Sequence, residues 1–169
     1  MLRPVTIACV ALLIVSVWSS RPASASDEDD CNWSNGQQLI KTDPSVVESA
    51  CRRLAKKGEA WAQFNLGVIY DQALGVSPDY REAAKWYKRA AKKGNPQAQY
   101  NLGRLYANGR GMRVDFVEAY KWFQIAANNL PPGTDQDRAL RNRDKVAAYM
   151  TQQQVQEASL LAGYFKPEP

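Results

Sequence analysis

The apolar positions of the chain recur with helical spacing over most of residues 60–130. In one stretch Ala62, Leu66 and Ile69 follow an i, i+4, i+7 pattern, and in a later stretch Ala83 and Trp86 begin a face of the same kind. Side chains with this spacing share one side of an α-helix, which can then be buried. No stretch of any length alternates with the two-residue period of a β-strand. The pattern therefore predicts an all-α protein.

The helical pattern itself repeats. Residues 62–67 (AQFNLG) recur as residues 98–103 (AQYNLG), so the period is 98 − 62 = 36 residues, and Trp86 pairs with Trp122 at the same offset. Asp79 and Asp115 precede the second helix of each unit, where a carboxylate can accept from the exposed amides of the first turn. Repeats of this length that pair two helices build solenoids. The prediction is a right-handed α-solenoid of antiparallel helix pairs with an atypical helical C-terminal cap.

The repeats divide the chain into four predicted regions. Residues 132–165 predict two further helices, the second opened by a capping box at Thr151 and burying Val155, Ala158, Leu161 and Ala162. Such a pair covers the open end of a repeat stack. The predicted boundaries are a signal peptide at 1–25, an N-terminal segment at 26–43, repeats at 44–130 (a half repeat at 44–59 and repeats at 60–95 and 96–131) and the cap at 132–165.

The repeated motif resembles that of a known family. The pattern A-x-A-Q-x-x-L-G-x-x-Y, a glycine loop and then D-x-x-x-A-x-x-W-x-x-x-A-A-x-x-G is similar to the SEL-one-like repeat, a relative of the tetratricopeptide repeat, over about residues 44–130. The resemblance implies a concave groove, lined by the first helices, that binds an extended peptide or a partner loop. By similarity to tetratricopeptide grooves, the inward positions are Trp61, Phe64, Asn65, Val68, Asp71, Gln97, Tyr100, Asn101, Arg104 and Asn108. The alternative for Asn65 and Asn101 is that they bond locally within the fold.

The first 25 residues have the pattern of an export signal. Arg3 precedes an apolar run from residue 5 to residue 18, and Ala23-Ser24-Ala25 is a small-x-small cleavage site. The run is shorter than the ~20 residues that cross a bilayer. We expect cleavage after Ala25 and a periplasmic or secreted protein without a membrane span; an uncleaved anchor is the alternative. The acidic residues 27–30 are interpreted as a solvated tail in preference to a calcium site.

Two cysteines remain after removal of the leader. In an oxidising compartment Cys31 and Cys51 are expected to form a disulfide, which would fasten the N-terminal segment to the first helix of the half repeat. Two free buried thiols are the alternative.

Composition narrows the chemistry further. The chain has 45% hydrophobic and 23% charged residues, as folded domains do, and contains no histidine. Histidine-dependent nucleophiles, histidine bases and His-containing zinc sites are therefore excluded. No phosphate-binding loop, CxxC pair or metal-ligand cluster occurs, so we expect a non-enzymatic protein without cofactors. Cysteine-rich members of the family are linked to β-lactamase-like or penicillin-binding activity, but residues 60–130 contain no cysteine; such a hydrolase is the alternative.

The formal net charge is +5, and basic residues concentrate on the second helices. Nucleic acid is disfavoured as a partner because the protein is expected to be exported, and a solvated surface is the ordinary role of such residues. An envelope component that binds anionic glycan or lipid is a further alternative. The function predicted is a monomeric scaffold or regulatory module that binds a protein or peptide partner.

Overall fold

The computed structural model describes residues 25–32 and 43–169, and this part of the chain is helical with no strand. Its helices are α1 (Ala25–Cys31), α2 (Pro44–Lys57), α3 (Ala60–Gln72), α4 (Tyr80–Lys92), α5 (Pro96–Asn108), α6 (Phe116–Asn129), α7 (Thr134–Ala147) and α8 (Gln152–Gly163). From α1 to α7 each helix packs mainly on its neighbours along the chain. The prediction of an all-α solenoid is confirmed.

The second helix of every pair begins with a side-chain cap, and the four caps are evenly spaced. Asp43, Asp79, Asp115 and Thr151 each accept a hydrogen bond from an amide in the first turn that follows. Their separations are 79 − 43, 115 − 79 and 151 − 115, which are all 36 residues. The predicted capping box at Thr151 is present, with Gln154 as its other member. The 36-residue register therefore extends to α1–α2 and α7–α8, beyond the two repeats that the sequence makes obvious.

Glycine in the middle of α3 and α5 allows the two helices of a pair to approach closely. A Cβ on Gly67 would lie 2.5 Å from the ring of Tyr87, and one on Gly103 would lie 2.9 Å from the ring of Phe123. The aromatic ring thus occupies the space of the absent side chain. Because glycine costs a helix about 1 kcal/mol relative to alanine, its presence at both sites is explained by this packing.

Cys31 and Cys51 occupy the same two positions one period earlier, since 67 − 31 and 87 − 51 both equal 36. Both side chains are fully buried, and they lie at disulfide distance with Cα atoms 4.9 Å apart. In the first pair of helices a cysteine pair therefore stands where the next two pairs have a glycine and an aromatic ring.

The acidic segment 27–30 belongs to α1, and its interpretation as a solvated tail is wrong for Asp27, although Glu28 and Asp29 are exposed. Asp27 is 3% exposed, and its carboxylate accepts from Arg53 on α2 at 2.5 and 2.8 Å. The hydrogen bond from Arg53 holds the pKa of Asp27 below its usual value. Helix α1 is thus held by an ion pair as well as by the cysteines. The predicted leader, apart from Ala25, lies outside the described residues, and no helix within them is long and apolar enough to cross a membrane.

The last two helices differ from the pairs before them. Helices α7 and α8 both pack against α6 and scarcely contact each other. Ala158 and Ala162 are buried as expected, but Leu161 is 44% exposed, so its assignment to the core is wrong. After α8 the chain continues as a non-helical tail, residues 165–169, that reaches back to α6 and α4.

Candidate functional site: the groove between α5 and α7

The candidate site is a groove between α5 and α7, which we call the α5–α7 groove. Asn95 caps the N-terminus of α5 and Pro96 is its first residue, so the helix begins at a defined position. Helix α7 contributes residues spaced by three or four, which therefore share one side of that helix. Those α7 residues are Asp135, Arg138, Asn142 and Lys145, and Tyr149 follows in the turn after the helix.

One hydrogen bond crosses the groove near its middle. The side-chain amide of Asn142 on α7 donates to the hydroxyl of Tyr100 on α5 at 2.9 Å. The Tyr100 ring is in turn held by Phe123 of α6, with centroids 5.6 Å apart. This bridge separates two cavities.

The first cavity has a volume of about 180 Å³. Its walls are mainly apolar, and the ion pair of Asp135 with Arg138, at 3.3 Å, lies at its edge. A cavity of this size accommodates one side chain. The lining residues are Phe64, Gln97, Tyr100, Asn101, Leu130, Asp135 and Arg138.

The second cavity is larger, about 570 Å³. Phe116 and Tyr149 stack at one edge with centroids 5.2 Å apart, so the wall is partly aromatic. The side chain of Lys145 has no ion pair or hydrogen bond with other described residues. The lining residues are Arg104, Ala107, Asn108, Phe116, Phe123, Asn142, Lys145, Val146, Ala148 and Tyr149.

Six of the ten residues predicted for the groove line these cavities. Phe64, Gln97, Tyr100 and Asn101 line the first, and Arg104 and Asn108 line the second. Two others are partly buried in packing contacts elsewhere: Trp61 lies against the core of α1–α3, and Val68 against that of α4 and α5.

Asn65 and Asp71 are not open positions of a groove, which corrects their predicted placement. The amide of Asn65 donates to the carbonyl oxygen of Cys31 at 2.8 Å, as the local-bonding alternative proposed. Asp71 is 7% exposed and accepts from Arg104 and, at 3.3 Å, from the hydroxyl of Tyr87. Burial, together with the charge of Asp71, raises the pKa of Tyr87, which stays protonated and donates.

Arg104 is consequently tied to the fold. Its guanidinium binds a carboxylate that is almost completely buried, while about a third of its own side chain remains exposed to the second cavity. Removing it would leave Asp71 buried without a cation. Arg104 therefore forms part of the wall of the second cavity and is held in place by Asp71. Lys145 lines the same cavity without such a partner, so its ammonium group can bind a ligand.

The sequence pattern predicts only a capping role for residues 132–165, so it does not predict the α7 side of the groove. The signal available was the spacing of Asp135, Arg138, Asn142, Lys145 and Tyr149, which marks one helical stripe. Within residues 25–32 and 43–169 no cluster of three potential metal ligands occurs.

Comparison with known proteins identifies the repeats. The Sel1 repeat model matches residues 62–95 and 96–129. A protective antigen present in uropathogenic Escherichia coli strains, which displays an SLR fold, is similar in structure, with a TM-score of 0.70 and 31% identity over 82% of this chain and 29% of that one. A Sel1 repeat protein from Oxalobacter formigenes has a TM-score of 0.62 and 24% identity over 82% of this chain and 56% of that one.

This chain thus spans less than two thirds of either protein. The comparison with curated proteins gives no match. The resemblance seen in the sequence motif is confirmed by the matched repeats and by the shared fold. The chain contains two Sel1 repeats, and its fold is similar to that of proteins with the SLR fold.

Proposed function

We propose that this protein is an exported, monomeric, non-enzymatic interaction module that holds an extended peptide or loop of a partner protein in the α5–α7 groove. Sel1 repeats generally mediate protein interaction, and that general role is the starting point. Export is supported by the leader pattern and by the Cys31–Cys51 pair, which suits an oxidising compartment.

One observation carries the choice of site. The side-chain amides of Gln97, Asn101 and Asn108 line the groove on one helix and make no hydrogen bond with other described residues. An amide offers both a donor and an acceptor, which matches the alternating groups of a peptide backbone. The cavities on either side of the Tyr100–Asn142 bridge then provide separate places for two side chains of the same peptide.

The partner's charge is indicated by Lys145. It is the groove cation without a carboxylate among the described residues, so the second cavity favours a peptide with an acidic residue there. The apolar first cavity favours a nonpolar side chain.

The test is selection of binders from a random peptide library displayed on phage. Peptides selected on the wild-type protein should lose at least tenfold in affinity for the Asn101→Ala/Lys145→Gln variant, which changes one residue in each cavity. Arg141→Gln, an exposed α7 cation that lines neither cavity, is the matched control and should stay within twofold. Failure to select any peptide, or equal binding by the double variant, would refute the proposed groove.

A further inference from the structure

A second surface, unrelated to the α5–α7 groove, concentrates positive charge where α2, α3 and α4 meet. A cavity of about 440 Å³ there is lined by four cationic side chains, and we call it the basic cleft. Its other lining residues are Ala55, Gly58, Gln63 and Glu168. The four cations are Lys56, Arg89, Lys92 and Lys93.

The charge of the basic cleft is poorly compensated. Glu168 is the one acidic side chain that lines it, and it pairs with Lys92 at 2.7 Å. Lys56 and Arg89 form no ion pair with other described residues, and Lys93 pairs with no acidic side chain among them. Like charges gathered in this way repel one another, and the repulsion is relieved when an anionic ligand binds.

The structure shows how a peptide sits on this surface, because the tail, residues 165–169, already lies there. The main-chain N–H of Glu168 donates to the carbonyl oxygen of Lys92 at 2.8 Å, and Lys93 Nζ donates to a main-chain oxygen of Pro169 at 3.0 Å. A ring carbon of Pro167 lies about 3.3 Å from where a Cβ on Gly94 would be. The surface therefore contacts four kinds of group on one short segment: a main-chain donor, a main-chain acceptor, a carboxylate and a proline ring.

The tail is anchored at its other end by an aromatic contact. The ring of Phe165 packs edge-on against Trp122, with centroids 5.7 Å apart. Proline also restricts the residue that precedes it to extended conformations, so Pro167 and Pro169 keep the segment extended at little entropic cost. An aromatic anchor followed by an extended acidic stretch is the shape that this surface accepts.

We propose that the basic cleft is a docking site for an acidic, proline-containing peptide segment of a partner protein, and that the tail occupies it until the partner's segment displaces it. The tail brings one acidic side chain to four cations, so a segment with several carboxylates neutralises more of the charge. The exposed pair of Lys92 and Glu168 is weak, as surface ion pairs are, and exchange of one acidic segment for another is therefore easy.

The probe is a fluorescein-labelled peptide, Tyr-Phe-Glu-Pro-Glu-Pro-Glu, which keeps the aromatic anchor and adds carboxylates. In the full chain, Phe165→Ala/Glu168→Gln weakens the tail and should tighten probe binding at least fivefold by fluorescence anisotropy. Adding Lys92→Gln/Lys93→Gln to that background should weaken binding at least tenfold, or about 1.4 kcal/mol. Lys88→Gln, an exposed α4 cation outside the cleft, is the matched control and should stay within twofold. Circular dichroism confirms that each variant is folded.

Three results would overturn the proposal: no gain when the tail is weakened, no loss with the lysine variants, or equal binding of a probe in which every Glu is Gln. Binding of polyphosphate or phosphatidylglycerol vesicles without binding of the probe would also overturn it, because the site would then recognise polyanions and not peptides. The Asn101→Ala/Lys145→Gln groove variant should bind the probe normally, so the two sites can fail independently.

Discussion

The close approach of α3 and α4 makes Gly67→Ala the sharpest test of the packing. The new Cβ would lie 2.5 Å and 2.7 Å from two carbons of the Tyr87 ring. That ring is fully buried, and its hydroxyl donates to Asp71, so it cannot withdraw. Overpacking costs about 1–3 kcal/mol, and contacts this short belong in the upper part of that range, about 2–3 kcal/mol; alanine returns about 1 kcal/mol of helix propensity. The expected net loss in the free energy of unfolding is about 1–2 kcal/mol.

The measurement is urea unfolding followed by far-ultraviolet circular dichroism. With an m-value of about 2 kcal/mol/M, the midpoint should fall by roughly 0.5–1 M. The control is Gly163→Ala at the end of α8, where no atom lies within 4 Å of the new methyl group, so the same substitution should be neutral or stabilising by up to about 1 kcal/mol. If Gly67→Ala is as stable as the wild type, the ring does not occupy the space assigned to it here.

Three further outcomes are expected. Thiol titration of exported, denatured protein should find no free thiol, and Cys51→Ala should lower stability by roughly 3 kcal/mol because a loop of about 20 residues is no longer closed. Arg104→Ala should cost about 1–3 kcal/mol by leaving Asp71 buried without its cation, and adding Asp71→Asn should recover part of this loss in the same unfolding assay. Because the pKa of Asp27 is lowered by folding, its stabilising contribution is complete above about pH 4 and is lost as the pH falls through the folded-state pKa; melting temperatures measured from pH 7 to pH 3 should therefore decline only at the acid end.

The repeats were predictable because their packing demands particular side chains at fixed intervals. A helix pair that meets at Gly67 and Tyr87 needs the same contact at Gly103 and Phe123, and the 36-residue period records that need in the sequence. Trp86 and Trp122, both 5% exposed, are core residues as their apolar spacing indicates.

The sequence pattern does not predict helix α1, because its contact with α2 is made by a cysteine pair where the repeats use glycine and an aromatic ring. A cysteine pair bears no resemblance to glycine and an aromatic ring, so self-comparison does not align Cys31 with Gly67. The sequence pattern predicts a solvent-exposed carboxylate at Asp27 because no local pattern shows that Arg53, 26 residues later, contacts it. A contact between two polar residues that are far apart in the sequence occurs once, so it produces no repeated pattern from which it could be predicted.

The tail changes how unfolding should spread through this solenoid. Where repeats contact only their neighbours, the ends fray independently and the middle is the last to open. Here Phe165 contacts α6 and Glu168 contacts the last residue of α4, 76 positions earlier, so the final helix is bound to a repeat two places back. Undocking of α8 strips contacts from α4 at the same time. Opening of α8 should therefore also expose main-chain groups near the end of α4, whereas displacement of the tail alone, which is held on α4 by an exposed ion pair, leaves α8 in place.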